Sequence, residues 1–242
     1  MSDAAKAIEV RPLYSQVKER FLRRLEDRTW APGMMIPSEM ELARELSVSQ
    51  GTVRKALNEM TAENLLTRRQ GRGTFVSEPE DSRILFQFFR LVPDAGAPTF
   101  PVSRVLLRTS GKATADEAAA IALEPGDPVW RITRDRSFGE MPILTEMVVL
   151  PQARFPDLPE ADALPNNLYQ LFSVRWGITI AQSEERLKAV SADAATAEAL
   201  GCAAGTALLQ VRRVARDLGG RAVELRVSLC RTDHIHYAVN LR

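Results

Sequence analysis

The chain has little of the side-chain chemistry on which metal sites, disulfide frameworks and nucleophilic catalysis depend. Cys202 and Cys230 are its only cysteines, and His234 and His236 its only histidines. That excludes a disulfide-stapled scaffold and leaves too few soft ligands for a structural zinc site, so neither metal nor cofactor is expected. A Cys/His or Ser/His catalytic constellation is poorly supplied. Long apolar runs are missing as well, since no stretch of about 18 apolar residues occurs. The opening Met1-Ser2-Asp3-Ala4-Ala5-Lys6 carries a charge every few positions, unlike a secretory signal. These absences imply a cytoplasmic protein with no membrane partner. What remains is the composition of a globular chain: 242 residues, 45% hydrophobic and 26% charged, enough for one large core or two ordinary ones.

Net charge is +1, but its sign is uneven: residues 1–76 hold 13 Lys and Arg against 10 Asp and Glu, the remainder 19 against 21. Between Gln50 and Val76, Arg54, Lys55, Arg68, Arg69 and Arg72 face only Glu59 and Glu63. An anionic polymer would bind there. The helical spacing of Val17, Phe21, Leu22 and Leu25 predicts a helix over Leu13 to Asp27. After the break at Ala31-Pro32-Gly33, Ser38 is placed to cap a second helix with Met40, Leu42, Ala43 and Leu46 on its apolar side. Ser49 follows a short polar turn and caps a third helix, Gln50 to Ala62, whose apolar stripe is Val53, Ala56, Leu57 and Met60. Two short strands, Leu65 to Arg69 and Thr74 to Val76, are joined by Gln70-Gly71-Arg72-Gly73, with glycine where positive φ is needed.

Three helices and a hairpin in this order make a winged helix-turn-helix. Its third helix would enter the major groove of double-stranded DNA, with Gln50, Thr52 and Arg54 at base edges and Ser49 and Lys55 at phosphates. Gly71 lets the backbone approach closely while Arg72 lies against the minor groove. The residues Pro32-Gly33, Ile36-Pro37-Ser38-Glu39, Leu42-Ala43, Val48-Ser49, Thr52-Val53-Arg54, Ala56-Leu57 and Gly71-Arg72-Gly73-Thr74-Phe75-Val76 resemble the DNA-binding domain of GntR-type bacterial transcription regulators. In that family the positions of Met40 and Gln50 are commonly arginines that touch DNA. The resemblance implies the same docking on a different operator, with Arg44 partly replacing the missing phosphate contact.

Acidic, proline-broken Ser77 to Ser82 marks a boundary. The expected organisation is a DNA-binding domain at 1–76, a linker at 77–84 and a second domain at 85–242. In the second domain Ile84 to Leu91, Val102 to Thr109, Val129 to Phe138, Ile143 to Leu150, Ile178 to Val190, Ala207 to Asp217 and Ala222 to Cys230 are predicted as strands. Thr114 to Ala122, Asn167 to Trp176 and Ala194 to Leu200 are predicted as helices. A shift of 79 positions brings Ile121-Ala122 and Gly126 onto Leu200-Gly201 and Gly205, a weak repeat of helix, strand, strand. Two such units on one antiparallel sheet give an α+β domain with a central crevice. Arg134-Asp135-Arg136, Phe155-Pro156, Leu168-Tyr169-Gln170-Leu171-Phe172, Ala199-Leu200-Gly201, Glu224 and Arg231-Thr232-Asp233 resemble the effector-binding (UTRA) domain of the HutC-like branch of these regulators. That resemblance implies a chorismate-lyase-like fold which binds a small anionic or polar metabolite.

On a strand, Arg134 and Arg136 point to one face and can fork onto one carboxylate or phosphate, or else pair with Asp135, Glu140, Glu146 or Glu224. Asn167 and Tyr169 begin a helix, where free N–H groups favour anions, though Tyr169 serves equally as a core aromatic. Glu224 fits recognition of a ligand hydroxyl or amine, or an ion pair with an arginine. His234 and His236 alternate on a terminal strand that reads as surface. The leading expectation is a metabolite-responsive repressor that reads a two-fold operator as a homodimer. The rival is a lyase-like enzyme acting on a small carboxylate. Against it, no paired carboxylate motif, activated nucleophile or metal cluster supplies proton transfer. A constitutive DNA-binding protein with an inert dimerisation domain is the third reading.

Overall fold

The structure, a computed structural model, describes residues 11–78, 88–96 and 100–239. It divides into two compact units, Met1–Glu78 and Pro79–Arg242.

In the first unit α1 (Leu13–Glu26) buries Val17 and Phe21, with the Phe21 ring 5.0 Å from that of buried Trp30. Helix α2 (Glu39–Leu46) starts at a complete capping box, in which the Ser38 hydroxyl accepts from the Glu41 N–H and the Glu41 carboxylate accepts from the Ser38 N–H. Such a cap stabilises a helix by about 1 kcal/mol. Ser47 then turns left-handed at φ 55° and releases the chain into α3 (Gln50–Ala62). Ser49 caps α3 by accepting from the Thr52 N–H at 3.1 Å. Val53, Ala56, Leu57 and Met60 of α3 are buried, so Gln50, Arg54 and Lys55 are left on the exposed side. Strands β1 (Leu66–Arg69) and β2 (Gly73–Val76) form the antiparallel wing. Ser77 and Glu78, expected in the linker, belong to this unit. The Ser77 N–H donates to the Leu65 carbonyl, and Glu78 lies 3.9 Å from Arg69.

The second unit carries a six-stranded antiparallel sheet in the order β4-β5-β6-β9-β8-β7. Its elements in chain order are β3 (Leu91–Pro93), β4 (Val102–Lys112), α4 (Ala115–Ile121), β5 (Pro128–Phe138), β6 (Met141–Pro151), α5 (Leu168–Trp176), β7 (Ile180–Ser191), α6 (Ala194–Leu200), β8 (Ala207–Asp217), β9 (Ala222–Cys230) and β10 (Ile235–Tyr237). The repeat is real, and it is longer than helix, strand, strand. A 79-residue shift lays α4 on α6 and β5 on β8, and a strand precedes the helix in each copy, β4 in one and β7 in the other. The copies meet at β6 and β9, the two central strands. One face of the sheet carries α4 over Val129, Val149 and Leu225, and α6 over Leu208. The opposite face carries α5, with Phe155, Leu168 and Phe172 packed on Ile132, Val148 and Val223. Along that face a second apolar cluster joins Ile143, Leu144, Val211 and Cys230 to Phe89, Leu91 and Ile235. The ribbon of β3 and β10 thus closes one end of it.

One strand expectation needs correction. Of the predicted strand Ile84 to Leu91, residues 84–87 lie outside the described residues, Phe88 is helical and extended pairing begins only at Leu91. The Phe88 carbonyl accepts from the Arg213 guanidinium instead of joining a strand ladder. His236 is exposed on β10 and contacts Asp94 at 2.7 Å. Among the described residues no three metal-ligating side chains converge, and no helix is long and apolar enough to cross a membrane.

Candidate DNA-reading surface and effector site

The exposed start of α3 is organised by one carboxylate on α2. Glu39 accepts from Arg54 Nε at 2.8 Å, Arg68 Nη2 at 3.2 Å and Gln50 Nε2 at 3.5 Å. Residues of α2, α3 and the wing are thereby held in one patch, with the guanidiniums of Arg54 and Arg68 still largely exposed. A planar guanidinium held on one edge keeps further N–H donors for a base edge or a phosphate. The Ser49 hydroxyl shares a 2.8 Å hydrogen bond with that of Thr52, so both side chains sit at the N-terminus of α3. Lys55 is directed elsewhere, its ammonium 3.8 Å from the centre of the Tyr14 ring on α1. Arg44 lies exposed near the end of α2. At the wing tip Gly71 has φ 69° and Arg72 is exposed. The sequence singled out Gln50, Thr52 and Arg54 as base readers, counted Arg68 only in the basic stretch, and gave Glu39 no part in the surface. Arg68 lies 14 residues beyond Arg54 on a different element, and only the folded wing brings the two to one acid.

On the second unit, register decides what each predicted side chain meets. Arg134 lies opposite Glu146 and Arg136 opposite Leu144 across the β5–β6 hairpin, while Glu146 lies opposite Ser228 of β9. Arg134, 1% exposed, donates from Nε to Glu146 at 2.5 Å. Glu146 also accepts from the Ser228 hydroxyl at 2.9 Å and from Arg226 Nη1 at 3.4 Å. Arg226 grips Glu224 with both Nε and Nη2, at 2.9 and 2.7 Å. Glu224, 0% exposed, takes a further hydrogen bond from the Tyr169 hydroxyl at 2.9 Å. Beyond Arg226, Arg213 pairs with Glu185 at 2.5 Å, and Tyr237 donates to the same carboxylate. A charged band therefore crosses β5, β6, β9, β8 and β7 between the two apolar clusters.

Burial alone would push the Glu146 carboxyl up, yet Arg134, Arg226 and Arg136 together hold it well below the usual carboxylate range. Burial would likewise lower Arg226, but Glu224 and Glu146 raise it well above the ordinary arginine value. Burial and the neighbouring Glu224 push the Tyr169 hydroxyl up to about 12.

Arg136 is the exception. It is 2% exposed and pairs with no carboxylate among the described residues; Nη2 reaches the Pro101 carbonyl at 3.3 Å, and Nε has no partner. Its guanidinium carbon lies 4.7 and 4.6 Å from the ring centres of Phe89 and Phe100. Asn167 stays at the helix start, its carboxamide oxygen accepting from the Gln170 N–H. The adjoining Asn166 reaches further, meeting Ser103, Pro101 and Arg134. Of the expected effector residues, Arg134, Glu224 and Tyr169 thus join one network, Arg136 flanks it and Asn167 caps α5. Glu185, Arg213 and Arg226 were missed, although the repeat lays Arg134 on Arg213 and so pointed to one of them.

The sequence matches two family models: the one described as bacterial regulatory proteins, gntR family, over residues 13–76, and that of the UTRA domain over residues 100–236. A histidine utilization repressor of Pseudomonas putida is 30% identical over 211 residues, which cover 87% of this chain and 84% of that one. The chain belongs to the GntR family. Within the family it has the UTRA type of second domain, and its work is that of a DNA-binding transcription regulator, not of an enzyme. The repressor NagR of Bacillus subtilis (strain 168) is 28% identical over 230 residues, 93% of this chain and 94% of that one. Among solved structures, the ligand-binding domain of a GntR-family regulator from Bordetella bronchiseptica is similar, with a TM-score of 0.60 and 35% identity. It covers 64% of this chain and 98% of that one.

Proposed function

We propose that this GntR-family regulator is a repressor that occupies a two-fold operator as a homodimer in the cytoplasm and is released by a small anionic or polar effector. The observation that carries the DNA half is the Glu39 cluster, which gathers Gln50, Arg54 and Arg68 on an exposed patch. In this reading Gln50, Thr52 and Arg54 meet base edges, while Ser49, Arg44, Arg72 and the Gly71 backbone meet the sugar-phosphate chain. Lys55 reaches a phosphate only by leaving Tyr14. One reading helix covers a few base pairs, so two copies related by a two-fold axis double the contact set. Two exposed apolar side chains support self-association: Leu107 and Met147 stand in register with Thr133 and Val227 on the sheet face that carries α4 and α6.

For the effector half, the support is the buried charged band with Arg134, Arg136, Tyr169 and Glu224, and the names of the relatives as repressors. Effector binding would shift the population between two arrangements of the DNA-binding units through the segment that joins the units. Gel-shift titration of duplexes drawn from beside the protein's own gene, with and without candidate catabolites, tests both halves. Retardation at low salt that a metabolite reverses is expected. No retardation at all removes the DNA half; retardation that no metabolite alters leaves a constitutive binder.

A further inference from the structure

Resting on the reading that the α5-bearing face of the sheet receives the effector, we infer that the site takes one singly charged carboxylate with an apolar body, anchored by Arg136 alone. Among the described residues the charged band on that face joins four arginines, Arg134, Arg136, Arg213 and Arg226, to three glutamates, Glu146, Glu185 and Glu224, while Arg108 nearby has its own partner in Glu160; each of the three glutamates is bound to at least one of Arg134, Arg213 and Arg226. Arg136 is the cation left over. A buried guanidinium without a counter-ion is costly, and the two rings beside it offset only part of that cost. Burial lowers Arg136 to about 9 even against the pull of Glu146, so it still carries its proton at neutral pH.

A single negative charge brings the band to zero. A phosphate monoester dianion would carry it past zero and strand a negative charge in a poorly solvated place, whereas a neutral sugar would leave Arg136 unmet. Geometry agrees with charge. Phe89 and Phe100, their ring planes 67° apart, approach the guanidinium, and Nε is an N–H without an acceptor. A carboxylate lying in the guanidinium plane would use that edge. The buried side chains of the adjoining cluster, Ile143, Leu144, Val211 and Cys230, are apolar, so a body reaching them would have to be aliphatic or aromatic, because they offer no partner to a string of hydroxyls.

The test uses the full chain, titrated at constant ionic strength with benzoate, hexanoate, phenyl phosphate and benzamide, and read by calorimetry and by thermal melting. Saturable binding of benzoate or hexanoate is expected, at least about tenfold tighter than phenyl phosphate or benzamide, and lost in Arg136→Met. Arg136→Met should itself melt no lower than the parent, because no ion pair is removed, whereas Arg134→Met should melt lower. Arg136→Met melting as low as Arg134→Met would make Arg136 a structural residue and overturn the inference. So would tighter binding of phenyl phosphate, or no carboxylate binding up to about 10 mM. Carboxylate binding that leaves operator affinity unchanged would keep the anion site and remove the effector reading instead.

Discussion

Neutralising Glu146 should show how the charged band contributes to stability. In Glu146→Gln, Arg134 loses the one carboxylate that it pairs with among the described residues and keeps a 3.3 Å contact to the Asn166 carbonyl, while Arg226 retains its two-point grip on Glu224. The main loss is therefore one stranded buried cation, for which removal of a partner costs about 3–5 kcal/mol. A domain of this size loses about 2–4 °C of melting temperature per kcal/mol, so the transition of the second unit should fall by roughly 6–20 °C. The double variant Arg134→Met with Glu146→Leu removes both charges and fills the space with apolar atoms, and it should recover most of that loss. Melts followed by circular dichroism, supported by urea midpoints, provide the comparison. If the double variant unfolds as early as Glu146→Gln, the cost lies in packing at this site and the stranded-charge account is wrong.

Arg54→Ala should weaken specific operator binding by about 1–3 kcal/mol, read by fluorescence anisotropy at fixed salt; unchanged affinity would mean that α3 is not the reader. Arg72→Ala should weaken binding to most sequences alike and reduce the slope of log affinity against log salt by about 0.9. The late phase of tyrosine ionisation, near pH 12, should vanish in Tyr169→Phe when absorbance is followed on raising the pH. The sign follows from the raised value. The neutral hydroxyl is favoured in the folded chain, so its contribution is complete below the ordinary tyrosine value near 10 and disappears as pH climbs through about 12.

The first unit was legible because its signals are local. Ser38 and Ser49 cap the helices they precede, Val53, Ala56, Leu57 and Met60 repeat at helical spacing, and Gly71 and Gly73 mark the hairpin. The sheet was legible through alternation, and its duplication through the shared helix and glycine positions. Pairing was only half visible. Arg134 and Arg136 share a spacing and a face, yet their fates differ because the hairpin sets one against Glu146 and the other against Leu144. The β5–β6 turn at Gly139 held that information within the sequence. The grip of Arg226 on Glu146 did not lie within reach, since it depends on β6 meeting β9 across about 80 residues. The segment before β4 misled for a related reason: apolar alternation through Phe88 and Phe89 resembles a strand, but those side chains cover the sheet and do not extend it.

The joint between β6 and β9 has a consequence for how the second unit could be taken apart. Glu146 on one copy is satisfied by Ser228 and Arg226 on the other, so a cut after the β6 copy would open two long strand edges and leave acid and base on separate pieces. Neither fragment could hide those groups by itself. Expressed together, the halves should find each other and rebuild the sheet; expressed apart, each should aggregate through its bared edge. The duplication gave the molecule two similar parts, and the ionic stitching across their border keeps either from living alone.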